Sequence, residues 1–396
     1  MTFSMISHWL ALAGTVLTGV AAGYAGVALQ AVLRVRPDRG GAAAAPVSVL
    51  KPLHGAEPGL YDNLRSFFEQ SHPTFQLVFG VRDPEDPAVA VVRRLQAEFP
   101  AVEAQLVADA RVHGTNLKVS NLLNILPQTR HDLLVLADSD IGVPADYLAS
   151  VTAPLADPGV GIVTCLYRGI PRAGFWSRLG ALFIDDWFAP SVRVSHGFGS
   201  SRFGFGSTIA LRRDALAAIG GFDRLRDTLA DDFWLGELTR ERGLRTVLSD
   251  LEVTTDVIER SLPELWSHEL RWLRTIRSIE SAGFAFLFVT FTFPLLALGL
   301  VLSHNRWSLV LAGMGALARL VLHFRQRRRR REPFVFDEIV LVPLRDTLLL
   351  AEWAVALTGW QVRWQNQVMY ASGPGPAQSG PQAPDKAPPS QARYFH

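Results

Sequence analysis

One cysteine, Cys165, stands among 396 residues. With no second thiol there is no internal disulfide framework and no Cys-based zinc cluster. A lone cysteine beside Thr164 in an apolar run reads as core packing. Charge is scarce as well: charged residues make up 19% and hydrophobic residues 48%, against roughly 25% charged in soluble domains. With a mean hydropathy of +0.17, the composition argues against a purely soluble chain and against a disordered one. Nor is either sign in excess. The 39 Lys+Arg against 37 Asp+Glu leave +2, too little for a generic nucleic-acid binder.

The apolar excess lies at the two ends. Trp9 to Leu33 carries no charge and is long enough to cross the roughly 30 Å hydrocarbon layer as a helix. Arg34, Arg36 and Arg39 follow, which places that flank in the cytoplasm. The length of the run and its trailing charges fit an anchor over residues 1–36 rather than a cleaved signal peptide. A C-terminal membrane region is expected over 283–360. Within it, Gly283–Ser303 is uncharged and aromatic-rich despite Pro294, and Trp307–Phe324 is interrupted only by Arg319, expected to face a helix neighbour or snorkel. The run Arg325-Gln-Arg-Arg-Arg-Arg-Arg331 reads as a cytoplasmic loop beside anionic lipid. Phe334–Trp360 carries Asp337, Glu338, Arg345, Asp346 and Glu352, so it either spans while packed against protein or lies re-entrant. Residues 371–396, dominated by Pro, Gln, Ser, Gly and Ala, read as a disordered tail.

Between these ends, residues 46–260 have the pattern of a water-soluble α/β domain. Apolar strands Val47–Leu50, Phe75–Val81, Gln105–Val107 and Leu133–Ala137 alternate with helical spacings over Leu60–Gln70, Ala88–Phe99 and Asn116–Leu126. That alternation predicts a largely parallel sheet with helices on both faces, whose ligands bind beyond the carboxyl ends of the strands. Those ends are acidic. Asp83 follows the second strand, and Asp138-Ser-Asp140 follows a fully apolar one. Two carboxylates so spaced suit a hard divalent cation, although an isolated pair also reads as a polar turn. Asp231-Asp232 reads either as a helix cap or as a third acidic point. The stretch 261–282 contains His268-Glu-Leu-Arg271-Trp272 and has the spacing of an interfacial amphipathic helix ahead of the C-terminal apolar region.

The order of these signals resembles the membrane-bound inverting glycosyltransferases of the GT-A fold. The resemblance is closer to the ceramide glucosyltransferase family, through Val47-Ser-Val-Leu-Lys-Pro-Leu-His-Gly55, Val81-Arg-Asp-Pro-Glu-Asp-Pro-Ala88 and Gly220-Gly-Phe222 ahead of Ala-Asp-Asp-Phe233. Within that family, Asn116-Leu-Lys-Val-Ser-Asn121, Ala137-Asp-Ser-Asp-Ile141 and Val163-Thr-Cys-Leu-Tyr-Arg-Gly169 resemble the bacterial hopanoid-biosynthesis-associated members. His268 stands where the family motif usually begins with Gln or Arg.

The resemblance implies an α/β GT-A catalytic domain with a Rossmann-like mixed sheet, plus transmembrane helices. The expected location is the inner (cytoplasmic) membrane, multi-pass, with the catalytic domain in the cytoplasm. The implied reaction moves a sugar from a UDP-sugar, N-acetylglucosamine first and glucose second, to a membrane lipid acceptor, hopanoid or ceramide-like. Asp83, Lys118, Asp138, Arg271 and Trp272 would bind the donor. Asp138 and Asp140 would hold Mg²⁺ or Mn²⁺, and Asp232 would be the general base. Apart from the resemblance, the flexible aromatic-glycine stretch Gly197–Gly206 reads either as an acceptor mouth or as a plain Gly-rich loop, and His196 before it as an acceptor contact or a solvated loop residue. A processive polysaccharide synthase and a non-catalytic nucleotide- or lipid-binding membrane scaffold are the weaker readings. The first lacks enough apolar spans, and the second has no use for separated acids at strand ends.

Overall fold

The computed structural model describes residues 3–35, 45–333 and 335–359, and the backbone of 361–364 and 367–370. The expected tail over 371–396 and the flanking Arg36 and Arg39 lie outside the described residues.

Eight strands form one sheet: β1 (Val47–Pro52), β2 (Phe75–Val81), β3 (Glu103–Ala108), β4 (Leu133–Leu136), β5 (Ile141–Gly142), β6 (Val160–Pro171), β7 (Ile209–Arg212) and β8 (Arg245–Val257). Their order is β3-β2-β1-β4-β7-β6-β8-β5. The half built from β1 to β4 is parallel. Alternate residues of these strands feed two cores: Val49, Leu77, Phe79 and Val135 point to one, Leu50, Val78, Leu134 and Leu136 to the other. Burial on both faces explains why the strands read as continuous apolar runs.

The sheet is mixed rather than largely parallel. β7 enters antiparallel between β4 and β6, pairing Leu136 with Ile209 and Leu133 with Arg212. This register sets the residues just before β7 beside those just after β4. β6 runs parallel to β8, and β5 pairs antiparallel with β8 through Ile141 and Thr255. The ends of β4 and β8, the start of β7 and the second half of β6 therefore share one region of the sheet.

Among the described residues two helices are long and apolar enough to cross a membrane, Met5–Leu33 and Arg306–Arg329. They pack with a shorter helix, Thr292–Ser303, through glycines. A Cβ on Gly14 would come 2.7 Å from the Gly299 carbonyl oxygen, and one on Gly315 would come 2.9 Å from Ala22 Cα, so the backbones touch as small-residue helix pairs do. Asn305 adds a hydrogen bond to Thr15 Oγ1 at 2.9 Å, and Tyr24 meets Ser191 at 2.8 Å. Gly283–Ser303 is not one continuous helix. It breaks into Ser281–Ala285, the turn Leu287–Thr290 and Thr292–Ser303, whose 12 residues rise only about 18 Å.

The charges within the C-terminal region face protein. Arg319 pairs with Asp346 at 2.8 Å and lies 3.6 Å from Asp186, while His323 sits between Asp186 and Glu338. On helix Glu338–Ala356, Arg345 is fully buried between Glu352 and Glu269, the latter 2.8 Å away. The arginine run is not a loop. It forms the last turns of helix Arg306–Arg329, because Arg and Gln favour helix and cations suit its C-terminal dipole. Several of these arginines are paired: Arg330 reaches Asp185 at 2.7 Å, and Arg329 and Arg330 each reach Glu252 of β8 at 3.3 Å.

Candidate functional site

β4 runs out of apolar residues at Ala137, and the chain turns through Asp138-Ser139-Asp140 before β5. Helix Leu117–Ile125, capped by the Asn116 side chain on Val119 N–H at 3.1 Å, carries Lys118 in its first turn. The Lys118 Nζ stands 2.7 Å from Asp138 Oδ1 and 3.3 Å from Asp231 Oδ2. Asp231 and Asp232 open helix Asp231–Glu241, whose cap position is Ala230, so neither aspartate caps it. Their charges still gain from the positive helix end. Asn116 Nδ2 also donates to Thr228 O at 2.7 Å, fixing this helix start to the lysine's helix.

Gly206 joins the two acidic points. Its N–H donates to Asp232 Oδ2 at 2.7 Å, and its carbonyl accepts from Asp138 N–H at 3.1 Å. Any side chain would block this: a Cβ at 206 would lie 2.5 Å from Asp138 Oδ2. Below the turn, Lys51 of β1 is fully buried. It donates to the Asp138 carbonyl and stands 4.0 Å over the Phe67 ring. Asp140 Oδ2 accepts from Thr255 Oγ1 at 2.6 Å, a contact set by the β5–β8 pairing.

The electrostatics differ from group to group. Burial pushes the Asp232 carboxyl up to about 6, with the Asp231 charge adding and Lys118 opposing. Asp140 is raised by burial and then by Asp138. Burial pulls Lys51 down to about 7 against the pull of Asp140 and Asp138. Burial works against the Lys118 charge too, but Asp138, Asp231 and Asp232 outweigh it and hold its pKa above the ordinary lysine value.

The fourth sequence element, helix Leu262–Ile279, brings Arg271 and Trp272. Arg271 lines an open cleft of about 820 Å³ with Glu259, Arg260 and His268. Burial lowers its pKa, opposed by the charges of Glu259 and Asp138. His268 Nδ1 hydrogen-bonds Glu259. Trp272 stands edge-on to the His268 ring at 4.9 Å and to Tyr167 of β6 at 6.3 Å.

The structure thus brings together Lys118, Asp138, Asp140, Asp231 and Asp232, with Arg271 and Trp272 on the adjoining helix. Asp83 stands apart. It is exposed in the turn after β2, where Oδ1 accepts from Glu85 N–H at 2.9 Å. It shares the carboxyl end of the sheet but touches none of the other named acids. His196 is exposed, its ring 5.7 Å from Phe203. Lys51, Thr255 and Tyr167 carried no functional role in the sequence reading, and Gly206 was read as part of an acceptor mouth rather than as the link between Asp138 and Asp232. Only Lys51, placed at the end of an apolar strand, had a signal that could have marked it.

Among the described residues no group of three or more His, Cys, Asp or Glu side chains is placed to hold a metal ion. The pair Asp138 and Asp140 nevertheless fits a hard divalent cation that completes its shell from a phosphate and water. Both donors are carboxylates, and burial and then Asp138 raise the Asp140 carboxyl above its usual range, a cost that a cation relieves.

The sequence model of glycosyl transferase family 21 matches residues 13–375. Ceramide glucosyltransferase 1 of Caenorhabditis elegans is 27% identical over 58% of this chain and 49% of its own length. The β-monoglucosyldiacylglycerol synthase of Synechocystis is 30% identical over 47% of this chain and 38% of its own. The chain spans about half the length, or less, of the curated relatives it matches. A mannosyltransferase from Pyrobaculum calidifontis, solved with GDP-Man and Mn²⁺, overlaps 86% of this chain and 99% of that one, with a TM-score of 0.49 and 21% identity.

Proposed function

The chain belongs to glycosyl transferase family 21, its mixed sheet being a GT-A-like fold, and from that premise we propose that it is a membrane-bound inverting enzyme. It moves a sugar from a UDP-sugar onto a lipid hydroxyl. The observation that carries this reading is the convergence of Asp138 and Asp232, from strand end and helix start, on the two sides of the Gly206 peptide.

In the proposed reaction Asp232 accepts the proton of the attacking hydroxyl. A carboxyl raised to about 6 is a stronger base than an ordinary aspartate and is still ionised at neutral pH. Asp138 and Asp140 would hold Mg²⁺ or Mn²⁺, which would supply positive charge for the diphosphate of the departing nucleotide. Lys118 keeps Asp138 and Asp231 in place and lends positive charge to the donor side. Arg271, which keeps its charge, meets the diphosphate, and Trp272 walls the acceptor side. Asp83, at the exposed end of β2, takes the nucleoside edge of the donor. A single attack opposite the leaving group inverts the anomeric carbon. The two long apolar helices support a multi-pass protein of the cytoplasmic membrane, with an anchor over 1–36, a catalytic domain over 46–260 facing the cytoplasm, an interfacial helix over 261–282 and a membrane region over 283–360.

For the finer specificity we infer N-acetylglucosamine as the sugar and a polyol-bearing hopanoid such as bacteriohopanetetrol as the acceptor, on the stretches 116–121, 137–141 and 163–169. A second reading, glucose onto ceramide or diacylglycerol, is favoured by the names of the relatives. One experiment separates them. The full-length protein in membranes is given radiolabelled UDP-N-acetylglucosamine or UDP-glucose with bacteriohopanetetrol, ceramide or diacylglycerol. Labelled hopanoid from the first donor is the expected product. Label in ceramide or diacylglycerol moves the assignment to the second reading, and no labelled lipid from any pair overturns the function.

A further inference from the structure

A continuous string of side chains runs from the open cleft to the carboxylates. Glu259 and His268 line the cleft, and their hydrogen bond fixes the imidazole. Trp272 stands edge-on to His268 at 4.9 Å and 82°, and Tyr167 stands edge-on to Trp272 at 6.3 Å and 85°. Tyr167 in turn meets Phe205 at 6.4 Å, the residue just before the glycine that ties Asp138 to Asp232. We propose that His268 and Tyr167 are the hydrogen-bonding stations of an acceptor track along this string, and that the track selects a polyhydroxylated headgroup.

The two polar ends are complementary. With Nδ1 turned to the Glu259 carboxylate, Nε2 is the ring nitrogen left to meet a substrate hydroxyl. The Tyr167 hydroxyl has no hydrogen-bond partner among the described residues. Burial, and then the charges of Asp232, Asp140 and Asp138, raise its pKa, so it remains an O–H donor in a neighbourhood of carboxylates that only accept. Between the two stands the half-buried Trp272 ring, an apolar spacer in contact with both. A headgroup with several hydroxyls can engage both polar stations, one at each side of the Trp272 ring; a single hydroxyl can engage one. The inference rests on the lipid-transfer reading above and names the acceptor class of the same site.

The test removes the polar atoms and keeps the rings. Tyr167→Phe and His268→Phe are made in the full-length protein, and three readouts are compared with the parent: UDP affinity by calorimetry, acceptor KM and kcat, with bacteriohopanetetrol against a monohydroxylated analogue. Each variant is expected to keep UDP affinity and to raise the KM for the polyol about tenfold, the scale of one lost hydrogen bond, while the KM for the monohydroxylated analogue changes far less. Parental polyol KM in both variants overturns the track, as does an equal loss on both acceptors or a loss of UDP binding. If the parent transfers sugar to no lipid, the function itself fails and the track falls with it. Parental transfer with unchanged variants sinks the track alone.

Discussion

A methyl group at position 206 would meet the Asp138 carboxylate at 2.5 Å and the Lys118 ammonium at 3.2 Å. Gly206→Ala must therefore displace one partner of the peptide that bridges Asp138 and Asp232. Transfer is predicted to fall at least about tenfold, while the melting temperature moves by no more than a few degrees because the change lies in a loop outside the two cores. A wild-type rate would show that the bridge is not needed. The Asp232 carboxyl, raised to about 6 chiefly by burial, gives a pH prediction with a definite sign. A base must be unprotonated, so kcat/KM falls about tenfold per unit below pH about 6 and is flat just above it. An acid limb near 4 would point to a solvated carboxylate instead. Asp138, Asp140 and Asp232 were legible in the sequence because acids immediately after an apolar strand or at a helix start stand out locally. Lys51 and the bridging role of Gly206 were not, because each acts through a neighbour that only the folded sheet supplies.

The strands β1, β2 and β4 were legible for the reason that they are buried on both faces and so read as apolar runs. The insertion of antiparallel β7 between β4 and β6 was not, since pairing across some 70 residues leaves no mark on local periodicity. Helix Leu262–Ile279 shows the same division. Its amphipathic spacing predicted a surface-lying helix, yet Leu265, Glu269, Leu273 and Arg277 are buried, and Glu269 pairs with the fully buried Arg345 at 2.8 Å. Arg345→Met would leave Glu269 and Glu352 buried beside each other without a cation. The expected cost is about 3–5 kcal/mol, read as a lower unfolding temperature in detergent. Adding Glu269→Gln and Glu352→Gln to that variant should restore much of the loss. An unchanged melt for the single variant would contradict the buried pairing.

Across the whole molecule, the N-terminal helix, the C-terminal helices and the sheet form one connected body. Arg330 ties the end of helix Arg306–Arg329 to Asp185 and Glu252, and Tyr24 ties the N-terminal helix to Ser191. Deleting residues 1–33 is thus predicted to destabilise the remaining chain rather than release a soluble catalytic domain. A soluble, cooperatively melting truncation would refute this. The proposed chemistry draws on the same connectedness, since donor charge, base and acceptor cleft come from separate parts of the chain. Chelation of divalent cations is expected to abolish transfer and Mg²⁺ or Mn²⁺ to restore it, with chelator-insensitive turnover counting against the role given to Asp138 and Asp140. The most direct measurement of the central claim is sugar transfer by Asp232→Asn, compared with its UDP-sugar affinity in the same preparation. Unchanged donor binding with transfer reduced at least about 100-fold is the predicted result, and transfer at the parental rate would contradict it.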